Sequence, residues 1–215
     1  MIEIRRVHDF PRGTLYRQLT DAYAFDERYR RNWDDLWLAH DDFFYSNPSI
    51  ADRYAFITAV NGKAVGHISW DPRNRPDHVS IGHNCILTAF RGRGYGRLQL
   101  REAVRQIREF PDLRRILVTT NALLIPAQRN YESAGFVKVA ERTNAETPFA
   151  GNYIDYDTNL NLKVYKHASG FFVIPRRRPA GLLAAIAVAP LRLRAGATSP
   201  GASCGCQPGA AGDYP

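Results

Sequence analysis

The sequence is poor in cysteine and methionine, and it has no long hydrophobic run. Its 215 residues include 3 cysteines and 1 methionine, too few cysteines for a disulfide framework or a four-cysteine zinc site. No uninterrupted apolar stretch approaches the ~18 residues that span a bilayer. The first ten residues carry charges where a signal peptide would have its apolar core. These absences predict a cytoplasmic protein without a membrane span, and no cluster of His, Cys, Asp and Glu has the spacing of a metal site.

The positive charge is divided between two unlike regions. The net charge is +8, of which residues 168–215 contribute +4 from five arginines and one aspartate. The remaining +4 on residues 1–167 is mild and suits an anionic small ligand as well as a polynucleotide. Arg176–Arg178 leave nucleic-acid binding open, but no interleaved aromatic residues support it.

Composition changes sharply after His167. From Ala168 onward, Ala, Gly and Pro make up 24 of 48 residues, and lysine and glutamate are absent. Such low complexity predicts a disordered tail over 168–215. Residues 1–167 show periodic hydrophobic patterns and are expected to form one globular domain.

The order of predicted elements is β-α-α-β-β-β-α-β-α-β-β. A hairpin is predicted around Asn61-Gly62, because these residues accept the positive φ angles of a type I′ turn. The order favours an α/β (α+β) fold with a mixed, mostly antiparallel sheet flanked by helices. The predicted strands and helices are 2–7, 11–25, 33–44, 53–60, 63–70, 78–88, 95–110, 114–120, 126–133, 136–141 and 152–165.

The strongest local signal is a glycine-rich loop between a strand and a helix. Gly92, Gly94 and Gly96 allow the backbone to approach a ligand, and the following helix starts at Tyr95 with its positive dipole end at the same point. This pattern is typical of an anion cradle. Arg91, Arg93 and Arg97 would add positive charge for a pyrophosphate. The alternative is a flexible connection without a ligand.

Two motifs resemble one family. RGRGYG, Arg91–Gly96, resembles the Arg/Gln-x-x-Gly-x-Gly/Ala loop of the GNAT N-acetyltransferases, and AQRNYESAGF, Ala127–Phe136, resembles the family's second signature at the family's spacing. The resemblance covers residues 1–165. It implies the GNAT fold and an acyltransferase that uses acetyl-CoA as cosubstrate.

The resemblance also implies which residues contact acetyl-CoA. The loop from Arg91 to Arg97 would bind the pyrophosphate through backbone amides, Tyr95 included. The backbone of Cys85, Ile86 and Leu87 would pair with the pantetheine arm, since its two amides can extend a sheet edge. Family members often carry an asparagine where this chain has Leu124. Asn121 lies nearby and is the candidate for that contact.

Two residues are candidates for proton transfer. Tyr131 stands where the family motif places a tyrosine near the CoA sulfur, so it resembles the general acid. His83 stands where many members carry a glutamate, and an imidazole of ordinary pKa about 6.5 can accept a proton at neutral pH. The alternatives are a packed aromatic for Tyr131 and a half-buried structural histidine for His83.

The resulting prediction is direct acetyl transfer from acetyl-CoA to a primary amine of a small molecule or protein. Cys85 lies in the strand expected to hold pantetheine and has no evident activating partner, which argues against a covalent intermediate. The amine acceptor and the choice between monomer and homodimer stay open. The rival from another class is a non-catalytic acyl-CoA-binding sensor.

Overall fold

The computed structural model describes residues 1–143 and 152–159. These residues form five α-helices and seven strands. The helices are α1 Thr14–Ala22, α2 Glu27–Ser46, α3 Pro48–Tyr54, α4 Tyr95–Ile107 and α5 Ile125–Ser133. The strands are β1 Ile2–Arg5, β2 Ala55–Val60, β3 Lys63–Asp71, β4 His78–Ile86, β5 Arg115–Asn121, β6 Val137–Thr143 and β7 Asn152–Asn159.

The seven strands form one mixed sheet in the order β1-β2-β3-β4-β5-β7-β6. The β4–β5 pair is parallel, and the other five pairs are antiparallel. The α4 helix connects β4 to β5, as a parallel pair requires a crossover. The predicted fold class is confirmed.

The hairpin between β2 and β3 forms as the sequence predicts. Asn61 has φ of 50° and Gly62 has φ of 75°, the left-handed values that a type I′ turn needs at both central positions. The turn fixes the register of the two strands, with Val60 opposite Lys63.

The main departure from the predicted elements is an additional helix, α3. The Asn47-Pro48 pair ends α2, as predicted, but Pro48 is also the first residue of α3. Proline fits the first turn of a helix because its missing N–H would have no intrahelical partner there. The predicted strand start at Arg53 is therefore wrong, and β2 begins at Ala55.

Two helix starts depend on aspartates. Asp26 caps α2 by accepting a hydrogen bond from the Arg28 N–H. The buried Asp41 of α2 accepts bonds from Gly13, Leu15 and Tyr16 N–H at the start of α1, at 2.8 to 3.2 Å. This carboxylate satisfies N–H groups that lack intrahelical partners, and it locks α1 against α2.

Helices cover both faces of the sheet at β4. The α1 and α2 helices pack on one face, where His67 of β3 contacts Gln18 of α1. The α4 and α5 helices pack on the other, where Asn84 of β4 contacts Gln99 of α4. Neighbouring residues of β4 thus reach opposite faces, as strand geometry dictates. The predicted tail 168–215 and the predicted end of the last strand at Tyr165 lie outside the described residues.

Candidate active site

The centre of the sheet opens between β4 and β5. Their pairing runs from His78–Arg115 to Ile81–Val118, whereas β4 continues to Ile86 and β5 to Asn121. Among the described residues, no strand pairs with the 82–86 segment on its β5 side. The opening is therefore a gap in the sheet that has backbone on both walls.

A bulge lies in β4 beside this gap. Between the pairs Ile68–Asn84 and Trp70–Ile81, β4 has one more residue than β3. Gly82 and His83 are the residues between those pairs on β4. Such bulges bend a strand and are common next to functional sites.

The glycine loop ends at the first turn of α4, next to the end of β4. Gly92 and Gly94 have φ of 74° and 82°, and a Cβ at either position would meet no other atom within 4 Å. Gly94 is the N-cap of α4 and offers no side chain to the free N–H groups of the first turn. The free N–H groups of the first turn of α4 therefore lie next to open space, which is the geometry of an anion site.

The three loop arginines have different surroundings. Arg91 donates from Nη2 to the Ala22 carbonyl and from Nε to the Ile86 carbonyl at 3.3 Å. Its guanidinium thus holds the loop against the end of α1. The Arg93 guanidinium lies 5.6 Å from the centre of the Phe90 ring, and both Arg93 and Arg97 are exposed. All three side chains are exposed and place positive charge beside the loop, and Arg91 in addition holds the loop in position.

Asp21 completes this connection between α1 and the loop. Its carboxylate accepts a bond from the Thr88 N–H at 2.6 Å, and its carbonyl accepts one from the Thr88 hydroxyl at 3.2 Å. The predicted anion loop is therefore fixed from two sides, by α1 and by the helix that follows it.

The residues predicted to pair with pantetheine lie at the end of β4. Leu87 N–H already donates to the Val65 carbonyl at 2.8 Å, and the Leu87 carbonyl accepts from Phe90 N–H at 2.9 Å. The Leu87 amide therefore has no free hydrogen for a ligand. Cys85 and Ile86 each have a carbonyl that accepts from a side chain, Gln99 and Arg91 respectively.

Asn121 occupies the opposite wall of the gap. It is the last residue of β5, and its Oδ1 accepts from the Leu123 N–H at 2.8 Å. Its Nδ2 is buried and has no hydrogen-bond partner among the described residues. A buried amide donor without a partner costs free energy unless a ligand or water accepts from it.

Tyr131 reaches β4 from α5. Its side chain is 4% exposed, and its hydroxyl lies 3.4 Å from Asn84 Nδ2. Burial raises the pKa of the phenol. A phenol that is protonated throughout the neutral range can donate its proton.

His83 faces the other side of the sheet, against α2. Its ring centre is 4.3 Å from that of His40, in an edge-to-face arrangement, and His40 is 5.6 Å from His67. Burial lowers the pKa of His83 to about 4 and that of His67 to about 3. Burial also lowers the pKa of His40, and the neighbouring imidazoles add to the effect. All three rings are neutral at pH 7.

Cys85 lies between the gap and His67. It is buried, and burial raises the pKa of its thiol to about 12. Its sulfur is 3.4 Å from His67 Nδ1, but burial raises the pKa more than this contact with a neutral imidazole lowers it. The group is therefore an inert thiol at neutral pH.

Aromatic side chains from the α1–α2 segment cover the gap on one face. Tyr23 stacks on Trp37 with ring centres 5.3 Å apart, and Tyr29 lies 5.2 Å from Trp33. Cys85 belongs to this cluster, and Leu124 at the start of α5 packs against it. The cluster thus extends from one wall of the gap towards the other.

The sequence-based reasoning missed two partners of the candidate residues. His40 contacts His83, whereas the spacing of residues 33–44 indicated chiefly core positions and the family resemblance a segment that lines the acceptor site. Gln99 is 0% exposed and hydrogen-bonds Asn84, and a polar residue on the apolar side of a predicted helix was the available signal. The described residues contain no group of three or more His, Cys, Asp or Glu that could hold a metal ion. They also contain no helix long and apolar enough to cross a membrane.

Comparison with known structures finds the same fold. A GNAT-family acetyltransferase structure from Desulfovibrio desulfuricans superposes with a TM-score of 0.59 at 18% identity, over 74% of this chain and 99% of that one. The ribosomal-protein-S18-alanine N-acetyltransferase from Escherichia coli gives 0.54 at 18% identity, over 80% and 100%. The ribosomal L7/L12 α-N-protein acetyltransferase RimL, solved with coenzyme A, gives 0.59 at 15% identity, over 74% and 93%. No curated protein was found to match the sequence.

A match between the sequence and a family model identifies the family. The model described as "Acetyltransferase (GNAT) family" matches residues 16–136. That segment is more than half of the chain, and it contains α1 from its third residue, α2 to α5, the glycine loop and both walls of the gap. The chain belongs to the GNAT acetyltransferase family.

Proposed function

We propose that this protein transfers the acetyl group of acetyl-CoA directly to an amine, and that an α-amino group is its preferred acceptor. The observation that carries the proposal is the gap between β4 and β5. The glycine loop and Asn121, whose Nδ2 has no partner among the described residues, lie at its end. Beside it, His83 faces α2 on one side of β4, and Asn84 contacts the buried Tyr131 on the other.

Acetyl-CoA would be bound by three parts of the chain. The first-turn N–H groups of α4, with Arg93 and Arg97, suit the pyrophosphate. The unpartnered Asn121 Nδ2 suits a carbonyl of the pantetheine arm. Ile86 would offer its backbone N–H group to the gap, whereas Cys85 and Leu87, whose N–H groups face β3, would contribute packing only.

The proton balance assigns one role to each face of β4. The amine nitrogen forms a bond to the acetyl carbon, and the carbon–sulfur bond breaks. His83 takes the proton that the nitrogen loses, directly or through water, and releases it to solvent. Tyr131 donates a proton to the departing sulfur and regains one from solvent.

The weak basicity of His83 favours an acceptor that is neutral before it binds. An imidazole with a pKa of about 4 cannot hold a proton taken from an ammonium group of pKa about 10. At pH 7.5 roughly one third of α-amino groups are neutral, against about 0.1% of lysine side chains. An α-amine therefore needs the base only after attack, when the nitrogen has become acidic.

The buried thiol supports direct transfer. Cys85 has a pKa of about 12 and is the cysteine nearest the gap among the described residues. A covalent acyl-enzyme on this thiol would require ionisation that burial opposes. Both substrates would then be bound together when the acetyl group moves.

A matched pair of peptides tests the reaction and its acceptor. Isotope-labelled acetyl-CoA is offered with one peptide that has a free N-terminus and a blocked lysine, and with its counterpart that has a blocked N-terminus and a free lysine. We expect acetylation of the first at a kcat/KM at least ~10-fold higher. Preference for the lysine peptide would refute the acceptor class. Calorimetric binding of acetyl-CoA without transfer to any amine in a broad panel would favour the sensor alternative.

A matched pair of glycine variants tests cosubstrate binding. Gly94 and Gly62 both have positive φ and open space around a Cβ, so Gly94→Glu and Gly62→Glu cost similar strain, about 1–2 kcal/mol. Only Gly94→Glu places a carboxylate at the α4 N-terminus. We expect it to abolish acetyl-CoA binding in calorimetry while Gly62→Glu binds normally. Equal affinity of the two variants would remove the loop from the cosubstrate site.

A further inference from the structure

The α4 helix contributes a side chain that reaches through the sheet face to the backbone of two strands. Gln99 is 0% exposed. Its Nε2 lies 2.8 Å from the His67 carbonyl and 3.2 Å from the Cys85 carbonyl. Its Oε1 accepts from the Thr58 hydroxyl at 2.7 Å.

Gly66 makes room for this amide. A Cβ at position 66 would lie 3.1 Å from Gln99 Oε1 and 2.3 Å from the Cys85 carbonyl oxygen. The second distance is far below van der Waals contact. A glycine is therefore required where Gln99 meets β3.

The two backbone carbonyls fix which way the Gln99 amide points. A carbonyl oxygen can only accept a hydrogen bond, so the Gln99 atom between them must be the NH₂ group. The same Nε2 lies 2.8 Å from a side-chain atom of Asn84. That atom must be Oδ1, because Asn84 Nδ2 there would set two donors against each other.

The orientation of Asn84 in turn fixes the role of the Tyr131 hydroxyl. With Oδ1 held by Gln99, Asn84 presents Nδ2 to the phenol oxygen at 3.4 Å. An NH₂ group cannot accept a proton. The Tyr131 oxygen is thus the acceptor in this contact, and its own hydrogen is directed elsewhere.

We infer that Gln99 and Asn84 form a relay that keeps the Tyr131 proton free for donation to the leaving sulfur. The relay rests on the proposed role of Tyr131 as the general acid. Gln99 acts as a positioning residue, since none of its hydrogen bonds is to Tyr131 and it reaches Tyr131 only through Asn84. Without it, Asn84 can turn its oxygen to the phenol, and that oxygen would capture the proton that the reaction needs. The 3.4 Å contact is longer than a strong hydrogen bond, so the effect is several-fold in size.

Gln99→Met and Thr58→Val form the matched pair that tests the relay. Both change the side-chain volume little, but Gln99→Met removes all four hydrogen bonds of the Gln99 amide, whereas Thr58→Val removes only the bond from Thr58. Gln99→Met frees Asn84, whereas Thr58→Val leaves the two carbonyls in place to orient Gln99. We expect kcat to fall about fivefold in Gln99→Met, the size of one neutral hydrogen bond, with the KM for acetyl-CoA unchanged. We expect kcat to be unchanged in Thr58→Val.

A spectroscopic readout reports the relay without any acetyl transfer. Difluorotyrosine, whose phenol ionises at lower pH, replaces the 11 tyrosines of the chain, and the Tyr131 fluorine signal is the one missing in Tyr131→Phe. Loss of the Asn84 donor should raise its ionisation midpoint by about 0.7 pH unit in Gln99→Met. Asn84→Asp, which replaces the donor by an acceptor, should raise it further and serves as the second variant should Gln99→Met not fold.

The two hypotheses fail in different ways. Midpoints equal to wild type in Gln99→Met and Asn84→Asp overturn the relay. A shift of the same size in Thr58→Val also overturns it, because in that variant the His67 and Cys85 carbonyls still orient Gln99 and no shift is expected. Full activity of Tyr131→Phe would instead refute the general acid and leave the fluorine result standing.

Discussion

The two faces of β4 place neighbouring residues in opposite kinds of environment. On the face of α4 and α5, Asn84 belongs to a chain of neutral amides whose donors and acceptors match. On the face of α1 and α2, His83 belongs to a group of three imidazoles in ring contact. There, His40 Nε2 and His67 Nε2 are buried without a partner among the described residues.

The difference means that one face of β4 controls the direction of a proton and the other controls the pKa of a base. Matched amides have one orientation and do not change charge, so they are suited to directing a proton. Burial disfavours the charged form of His83, and burial together with the neighbouring imidazoles disfavours those of His40 and His67, so this group of rings stays neutral. One strand can therefore present an acid whose direction is fixed and a base whose pKa is lowered.

The largest effect is expected from a change on the α4 and α5 face of β4, where Tyr131 contacts Asn84. Tyr131→Phe keeps the ring that packs on Phe136 and Tyr156 and removes the hydroxyl only. We expect kcat to fall about 10²-fold with cosubstrate affinity nearly intact, as for loss of a general acid. Steady-state kinetics and calorimetry measure the two quantities. Full turnover in this variant would show that water protonates the sulfur.

A smaller and pH-dependent effect is expected from a change on the α1 and α2 face of β4, here called the imidazole face because it holds His40, His67 and His83. His83→Gln should lower kcat about 10-fold at pH 7.5, because water can replace a weak base in part. In the wild type the acidic limb due to His83 should lie near its pKa of about 4, well below the ~6.5 of an ordinary histidine. The pH–rate profile of Tyr131→Phe is the control and should keep that limb. A limb near 6.5, or one unmoved in His83→Gln, would place the base elsewhere.

The strands and the glycine loop that form the walls of the gap could be predicted from the sequence better than the side-chain contacts beside it. Strand periodicity and the Asn61-Gly62 turn predicted β2 to β5 within a few residues, because those signals are local. The glycines at 92 and 94 likewise predicted a loop whose positive φ angles the structure confirms. The α3 helix was missed because its seven residues are too few for a clear helical period.

Partners of the candidate residues could not be predicted, because they depend on packing between distant segments. His40 and His83 are 43 positions apart, and no pattern in either segment indicates their contact. The ordinary pKa expected for His83 is wrong for the same reason, since burial under α2 lowers it. Arg91 was expected to supply charge for a pyrophosphate, and its hydrogen bond to the Ala22 carbonyl at the end of α1 could not be predicted from the sequence.

A stability measurement tests the imidazole face without any substrate. Because the folded-state pKa values of His83 and His67 are about 4 and 3, the unfolded chain binds more protons below pH ~6.5. Stability should therefore fall as the pH drops from 6.5 towards 4. His40→Phe keeps a ring at this position and removes one proton that only the unfolded chain binds. The slope of the unfolding free energy against pH should therefore decrease by up to about 1.4 kcal/mol per pH unit. Urea unfolding at several pH values measures the slope, and only the slope is compared because packing shifts all points alike. An unchanged slope would mean that His40 is charged in the folded protein.

The smallest effect is expected on removal of residues 168–215. The residues that build the two faces lie in α1, α2, α4, α5 and β2 to β5, and the chain from Ala168 onward has the composition of a segment that cannot form a packed core. Truncation after His167 should therefore leave the melting temperature, kcat and the KM for acetyl-CoA within error. A melting temperature lower by several degrees would show that Phe171, Phe172 or the apolar run 181–191 packs on the domain. A loss of acceptor affinity at unchanged melting temperature would instead assign part of the acceptor site to this segment, and the comparison of the two faces would then describe only the acetyl-CoA half of the reaction.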